Sequence, residues 1–234
     1  KEICSRYGHH PLSLRVLGGY ILNHPSLPGQ LSAVEDLELE RDLQDERVHL
    51  FKHTLNSLSN DLRLILRIMS CLREPIDSQG LDKMIGDNTI RLNYSVRELV
   101  VRGLLNYNKN TQLISIHPVV SSFVYDRLDT ISRHKLHKRA RDYYREGKLP
   151  EDIDFGTAES SIDAENSADL SDTIEWAFHI AKSGDYEDAC SLIRKKLHEP
   201  LYNWFGSYQA YSELLSVFLD DENNKLKLDT YDNQ

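Results

Sequence analysis

The feature that most constrains the fold is a change of hydrophobic period near the middle of the chain. Residues 60–104 repeat apolar side chains at helical spacing, whereas "LLNYNKNTQLISI" at 104–116 alternates over two short segments around "NKN". Asparagine tolerates the backbone angles of a tight turn, so this stretch predicts a β-hairpin. Helices followed by a hairpin and a further helix at about 118–128 predict a winged helix, a variant of the helix-turn-helix architecture.

The sequence on either side of the hairpin is helical in pattern. Ser59 or Asn60 is expected to cap the helix in "SNDLRLILRIMSCL", and Asp77 the short helix after it. We predict a mainly α fold, in which a winged-helix domain with a small β-hairpin is flanked by an N-terminal helical segment and a C-terminal α-superhelical segment. The predicted boundaries are a helical segment at 1–47, the winged helix at 48–131, a connecting basic helix at 132–148, an acidic linker at 149–168 and helical repeats at 169–234.

The C-terminal repeats are predicted from "LSDTIEWAFHIAKSGDYEDACSLIRKKL", which has the pattern of a helical hairpin turning at Gly184 and Asp185. Trp176 and Trp204 are expected to anchor its core. Helix pairs of this kind bury their faces by stacking on neighbours. Because the chain also lacks an initiator methionine, we expect it to be a piece of a longer protein.

Composition narrows the class of protein. Hydrophobic residues make up 40% and charged residues 28% of the 234 positions, a mix that can fill a core, and no apolar run approaches the ~20 residues of a membrane span. Cys4, Cys71 and Cys190 lie far apart among apolar neighbours, so we expect buried free thiols in a reducing, cytoplasmic compartment.

Charge is unevenly distributed along the chain, whose net charge is −9. Residues 149–234 carry 19 acidic and 6 basic side chains, whereas residues 133–148 carry 7 basic and 2 acidic ones. The acidic part would repel phosphates, so nucleic acid is an unexpected partner.

Two pairs of histidines have spacings at which histidines can bind a ligand. His49 and His53 are separated by four residues, as zinc ligands on a helix can be, but they lack an evident third ligand. We expect a surface or interface pair there, and we expect His134 and His137 on the solvated face of the basic helix. The sequence predicts no metal site and no catalytic residues.

Two motifs contain a histidine followed by a proline, and each alone is compatible with a simple helix start. In their order along the chain, "ICSRYGHHPLSLRVLGGYI" resembles the sensor segment of NB-ARC or STAND signal-transducing ATPases, usually written with a GLPLAL core. "ISIHPVVSSFVYDRL" resembles their MHD-type segment. The helical hairpin is similar to the tetratricopeptide-type (TPR) superhelix that often follows, and the resemblance covers roughly 1–220.

The resemblance implies which residues touch a nucleotide. In the family, the proline of the first motif packs beside adenine. The resemblance places Pro11 at that position, with Leu12 behind it. The histidine of the family's second motif reaches the β-phosphate of ADP. The resemblance places His117 at that position. A rigid proline ring suits a purine, and an imidazole N–H can donate to a phosphate oxygen.

The sequence departs from the family pattern at three places. His9 and Ser13 replace small residues around the proline, and Ser121 stands where the family often has arginine. Walker A and Walker B segments are absent from this sequence, so the phosphate cradle and the magnesium site are expected upstream. The chain itself is therefore not expected to be an enzyme.

The leading hypothesis is a regulatory fragment of a nucleotide-dependent switch in defence or signal transduction, which senses ADP or ATP. Its expected partners are the upstream nucleotide-binding domain, a protein ligand on the TPR-like region and further copies of itself in the active state. We do not expect it to bind a membrane. One alternative is a DNA-binding winged-helix regulator that uses Arg91, Arg97 and Arg102. Another is a TPR-like interaction scaffold without nucleotide.

Overall fold

A computed structural model describes residues 10–38, 46–86, 90–147, 167–198 and 208–218. The chain divides into two compact units, Lys1–Arg127 and Leu128–Gln234. The described residues are mainly helical and include one antiparallel two-stranded hairpin, so the predicted fold class is confirmed. Several predicted features lie outside the described residues: Cys4, His9, Trp204 and most of the predicted acidic linker.

The first unit begins with helix α1, Pro11–Leu22. Proline suits the first helical position because its fixed φ matches the helix and its missing N–H has no intrahelical acceptor there. A 3₁₀ turn at Leu31–Ala33 leads into α2, Val34–Glu38, and α3 spans Glu46–Asn56. The buried face of α1 includes Leu12, Val16, Leu17 and Tyr20, whereas Ile21, which the apolar spacing places on the same face, is half-buried.

The winged helix occupies the rest of the first unit. Its helices are α4 (Asn60–Cys71), α5 (Ser78–Ile85), α6 (Leu92–Val101) and α7 (Pro118–Tyr125), and its strands are β1 (Leu105–Tyr107) and β2 (Ile114–Ile116). The predicted caps are present. The Ser59 side chain accepts a hydrogen bond from the backbone N–H of Leu62, and Asp77 accepts one from Gly80. Each satisfies a backbone donor that the first helical turn leaves open.

The hairpin has a third, very short strand partner that the sequence pattern did not indicate. Leu105 pairs with Ile116 and Tyr107 with Ile114 in the antiparallel register. Ile76, between α4 and α5, forms an isolated bridge to Ile114, with N···O distances of 2.7 and 3.0 Å. A strand is recognised in a sequence by alternation over several residues, so a bridge of one residue cannot be predicted in this way.

The core of the winged helix lies between its helices and the inner face of the hairpin. α4 packs against α7, α6 and α5, and the rings of Phe51 in α3 and Phe123 in α7 lie 5.4 Å apart. Each strand of the hairpin buries one side chain in this core, Leu105 in β1 and Ile114 in β2, whereas each helix buries one stripe. Its fully buried side chains include Ile65, Leu66, Ile68, Leu81, Leu99, Leu104, Leu105 and Ile114.

The described residues of the second unit form helices and the turns between them. It contains α8 (Thr130–Gly147), α9 (Ser167–Lys182), α10 (Tyr186–Leu192), a π-helical turn at Ile193–Leu197, and α11 (Tyr208–Ser216). α8 and α10 both pack against α9.

The turn between α9 and α10 falls at Gly184, where φ is +93°. Glycine adopts this left-handed conformation without a steric penalty. Ala189 is fully buried beyond the turn and Trp176 lies in the core, as expected. A salt bridge between Arg141 and Asp185 connects α8 to this turn.

Two predictions about side-chain exposure are wrong. Cys71 is buried, but Cys190 lies on the exposed side of α10. In "LSAVEDLELERDLQD", the helical spacing of Leu31, Val34 and Leu37 predicts one buried apolar stripe. Val34 and Leu37 are buried, but Leu31 is 68% exposed. The 3₁₀ turn at Leu31 breaks the α-helical register, so its side chain leaves the stripe. Within the described part of the chain, no helix is long and apolar enough to cross a bilayer.

Candidate functional site

Pro11 and Leu12 occupy the first turn of α1. His10 precedes them in an extended conformation, with φ −73° and ψ 122°, and its side chain makes no capping hydrogen bond. Pro11 is exposed at the first helical position and Leu12 is buried beneath it. An exposed proline ring backed by a buried leucine is a flat apolar surface of the kind a purine can contact.

His117 is the N-cap of α7, directly before Pro118. Its Nδ1 accepts a hydrogen bond from the backbone N–H of Val119 at 3.2 Å. In a neutral imidazole, one ring nitrogen accepts and the other carries the proton. The cap therefore selects the tautomer with hydrogen on Nε2. The side chain is partly exposed, so the Nε2–H can donate to an anion at the helix start, and this donor fits a phosphate oxygen.

The two motifs belong to the same unit, and Arg15 of the first motif contacts the hairpin that leads into the second. The guanidinium of Arg15 donates from Nη2 to the carbonyl oxygen of Leu105 at 3.0 Å and from Nη1 to the side chain of Asn106. Leu105 pairs with Ile116, which directly precedes His117. Among the described residues, no hydrogen bond joins His117 to Pro11 or Leu12 themselves.

Two of the three departures from the family pattern, Ser13 and Ser121, lie among the described residues. Ser13 is 2% exposed within the first turn of α1. Ser121 donates from Oγ to the carbonyl oxygen of Ser70 at 3.1 Å, which ties α7 to the end of α4. The position at which the family often has arginine is thus used here for helix packing.

From the sequence we expect His49 and His53 to form a surface or interface pair, and the structure excludes the surface alternative for His49. His49 is 7% exposed, and among the described residues neither of its ring nitrogens has a hydrogen-bond partner. Its ring centroid lies 4.7 Å from that of His53, which is partly exposed. In the described part of the chain, no group of three His, Cys, Asp or Glu side chains is placed to hold a metal ion.

The prediction that His137 lies on a solvated face is also wrong. His137 is 1% exposed, and its Nδ1 lies 2.8 Å from Nδ1 of the fully buried His179 in α9. Burial, together with smaller effects of the nearby Lys182, His134 and Arg133, lowers the pKa of His137 to about 3. Nothing in the sequence pairs these histidines, because residues 148–166, which separate α8 from α9, show no clear helical or strand period.

The outer face of α6 bears on the nucleic-acid alternative. Arg102 is engaged by Glu98, with Nε and Nη2 lying 3.0 and 2.7 Å from the same carboxylate oxygen. Arg91 and Arg97 are exposed, and between them stands Tyr94, which is 68% exposed. Two arginines form a smaller basic surface than readers of duplex DNA usually present.

Comparisons with known proteins bear on the fold. No protein-family model matches the chain, and no curated protein matches it. Among solved structures, it is similar to the Signal Transduction ATPase with Numerous Domains (STAND) protein with a tetratricopeptide repeat sensor from Pyrococcus horikoshii. The TM-score is 0.56 and the sequence identity 17% over 97% of this chain. The chain spans 28% of the length of that protein. It therefore has the fold of part of a STAND protein.

Proposed function

We propose that the chain is a regulatory fragment of a nucleotide-dependent signalling switch. In this proposal the first unit contacts bound ADP through Pro11, Leu12 and His117, and the TPR-like second unit receives a protein ligand. The similarity in fold to a STAND protein with a tetratricopeptide repeat sensor supports the class of protein. The residue chemistry of the two motifs supports the choice of ligand.

The observation that carries the proposal is the hydrogen bond from Val119 N–H to His117 Nδ1. It makes the capping role and the phosphate role of His117 compatible, because they use different ring nitrogens. Pro118 fixes the start of α7, which keeps the imidazole oriented. His117 would thus hold the winged helix on the nucleotide, while Pro11 and Leu12 contact the base.

The remaining parts of the switch lie outside this sequence. An upstream nucleotide-binding domain would supply the phosphate loop and Mg²⁺, and the whole protein would be a slow ATPase in the cytoplasm. A ligand on the second unit would favour an open, ATP-bound state that assembles into homo-oligomers in defence or signal transduction. A ligand can shift this equilibrium only if it binds one state more tightly than the other. The contacts of His117 would supply that difference for ADP.

The test is the ADP release rate of the natural protein that contains this chain. We expect His117→Ala to speed release about tenfold or more, because a hydrogen bond to a charged group contributes about 1.5–3 kcal/mol. His117→Asn, which retains a side-chain acceptor for the cap, separates loss of the phosphate contact from loss of the helix start. His134→Ala, a partly exposed histidine of the second unit, is the control. An unchanged release rate in His117→Ala would contradict the assignment.

A further inference from the structure

We propose that Arg15 is a positioning residue, which holds α1 against the base of the β-hairpin and thereby fixes the distance between the motifs of Pro11 and His117. The functional meaning of this role rests on the proposed nucleotide site. The contacts themselves do not depend on it, and they can be tested without nucleotide.

The first support is the hydrogen bonding of Arg15 across the unit. Its guanidinium bonds Leu105 and Asn106, which lie 90 and 91 residues further along the chain. Arginine is suited to this role because its donors are arranged in a rigid fork that can engage two acceptors at once. Leu105 is fully buried and paired in the hairpin, so the acceptor that Arg15 engages is itself fixed.

The second support is the close approach of the two backbones. A Cβ on Gly19 would lie 2.5 Å from the backbone of Arg102, a distance that no real side chain tolerates. A Cβ on Gly103 would lie 2.8 Å from Cγ of Arg15, and Gly103 also has φ +76°. Gly19 of α1 therefore faces Arg102, and Gly103, in the turn after α6, faces Arg15 of α1. We call this contact between α1 and residues 102–103 the seam; its backbones approach too closely for a side chain to fit between them.

The third support is the short path from this seam to both motifs. Pro11 lies four residues before Arg15, so the two are neighbours on one face of a rigid helix. His117 follows Ile116, the strand partner of Leu105. Displacing α1 along the seam would move the proline relative to the histidine, and Arg15 opposes that displacement.

The experiment measures the distance between two nitroxide labels in this 234-residue chain by pulsed electron spin resonance. One label replaces Gly18, whose Cβ position has no atom within 4 Å, and the other replaces exposed Ser122 of α7. The background is Cys4→Ser with Cys190→Ser, and Cys71 is buried. We expect a single narrow distance in the parent chain and a broadened or shifted distribution in Arg15→Ala.

Arg63→Ala is the matched control. Like Arg15, Arg63 bonds two acceptors, but they are the backbone carbonyls of Leu58 and Asn56, at 3.0 and 2.9 Å, which are close to it in sequence. We expect its distribution to match the parent. Arg15→Lys should recover part of the narrow component. If Arg15→Ala fails to fold, Asn106→Ala removes one acceptor and should broaden the distribution more mildly.

An unchanged distance distribution in both Arg15→Ala and Asn106→Ala would overturn the positioning role. Failure of the nucleotide proposal has a different signature: ADP release would be insensitive to His117, while the label distances would still respond to Arg15.

Discussion

At the scale of single residues, neighbouring positions in α1 have opposite surroundings. Gly18 is exposed, with open space at its Cβ position, whereas Gly19 touches the backbone of Arg102. The two glycines are adjacent in a helix, so they share backbone conformation and differ in packing alone. This makes them a matched pair for testing how α1 meets the hairpin.

We expect Gly18→Ala to stabilise the chain by about 0.5–1 kcal/mol, because alanine loses less conformational entropy in a helix. We expect Gly19→Ala to destabilise it by about 1–3 kcal/mol, since backbone atoms must move to admit the methyl group. Urea denaturation of both variants measures the difference. Equal effects from the two substitutions would show that α1 does not approach the backbone of Arg102, at the end of α6, this closely.

The cysteines provide a second test at this scale. Burial raises the pKa of the Cys71 thiol to about 12, so the reactive thiolate is scarce. Cys190 is exposed; partial burial raises its pKa, and Arg194 opposes that shift. In a Cys4→Ser variant, we expect a disulfide reagent to modify one thiol in the native chain and a second only after unfolding. Rapid modification of both in the native chain would be inconsistent with this arrangement.

Local signals in the sequence predicted local features well. The caps at Ser59 and Asp77 depend on side chains three residues from their donors, so spacing alone reveals them. The burial of His49 and His137 depends on helices that pack from elsewhere in the chain, and a histidine has no strong preference for interior or surface. Such positions cannot be assigned from one sequence.

At the scale of elements, the packing of α8 on α9 is the clearest result of the second unit. The buried Nδ1 atoms of His137 and His179 lie 2.8 Å apart, so one must donate and the other accept. The ring of Tyr144 stacks on His179 at a centroid distance of 5.5 Å. The basic sequence of α8 suggested a solvated helix, yet its inner face helps to form the core.

This histidine pair predicts a pH dependence of stability. Because the folded pKa of His137 is about 3 and the unfolded value is about 6.5, the unfolded chain binds more protons between these values. Stability is therefore present above pH 6.5 and falls as pH decreases, by about 1 kcal/mol per unit contributed by this group. The measurement is urea denaturation at pH 7, 6 and 5, for the parent chain and for His137→Phe.

The substitution should reduce the steepness of the pH dependence. His134→Phe, which changes a partly exposed histidine on the same helix, should leave it nearly unchanged. An equal slope in the parent and in His137→Phe would rule out the buried pair as its source.

At the scale of the whole molecule, the order of elements was predictable because each has its own period: helices before and after a hairpin, then a helical hairpin turning at Gly184. The long-range contacts that hold these elements together could not be predicted from the sequence. The engagement of Leu105 by Arg15 joins residues far apart in sequence, and the bridge at Ile76 is a single residue long. Both arise from tertiary packing.

The central claim is that Pro11 and His117 contact the same purine diphosphate. The most direct measurement is a structure of the natural protein with ADP bound. We expect His117 Nε2 within about 2.7–3.2 Å of a phosphate oxygen, with the ring of Pro11 against the adenine. An ADP molecule bound elsewhere, with solvent or other side chains between it and both residues, would contradict the claim.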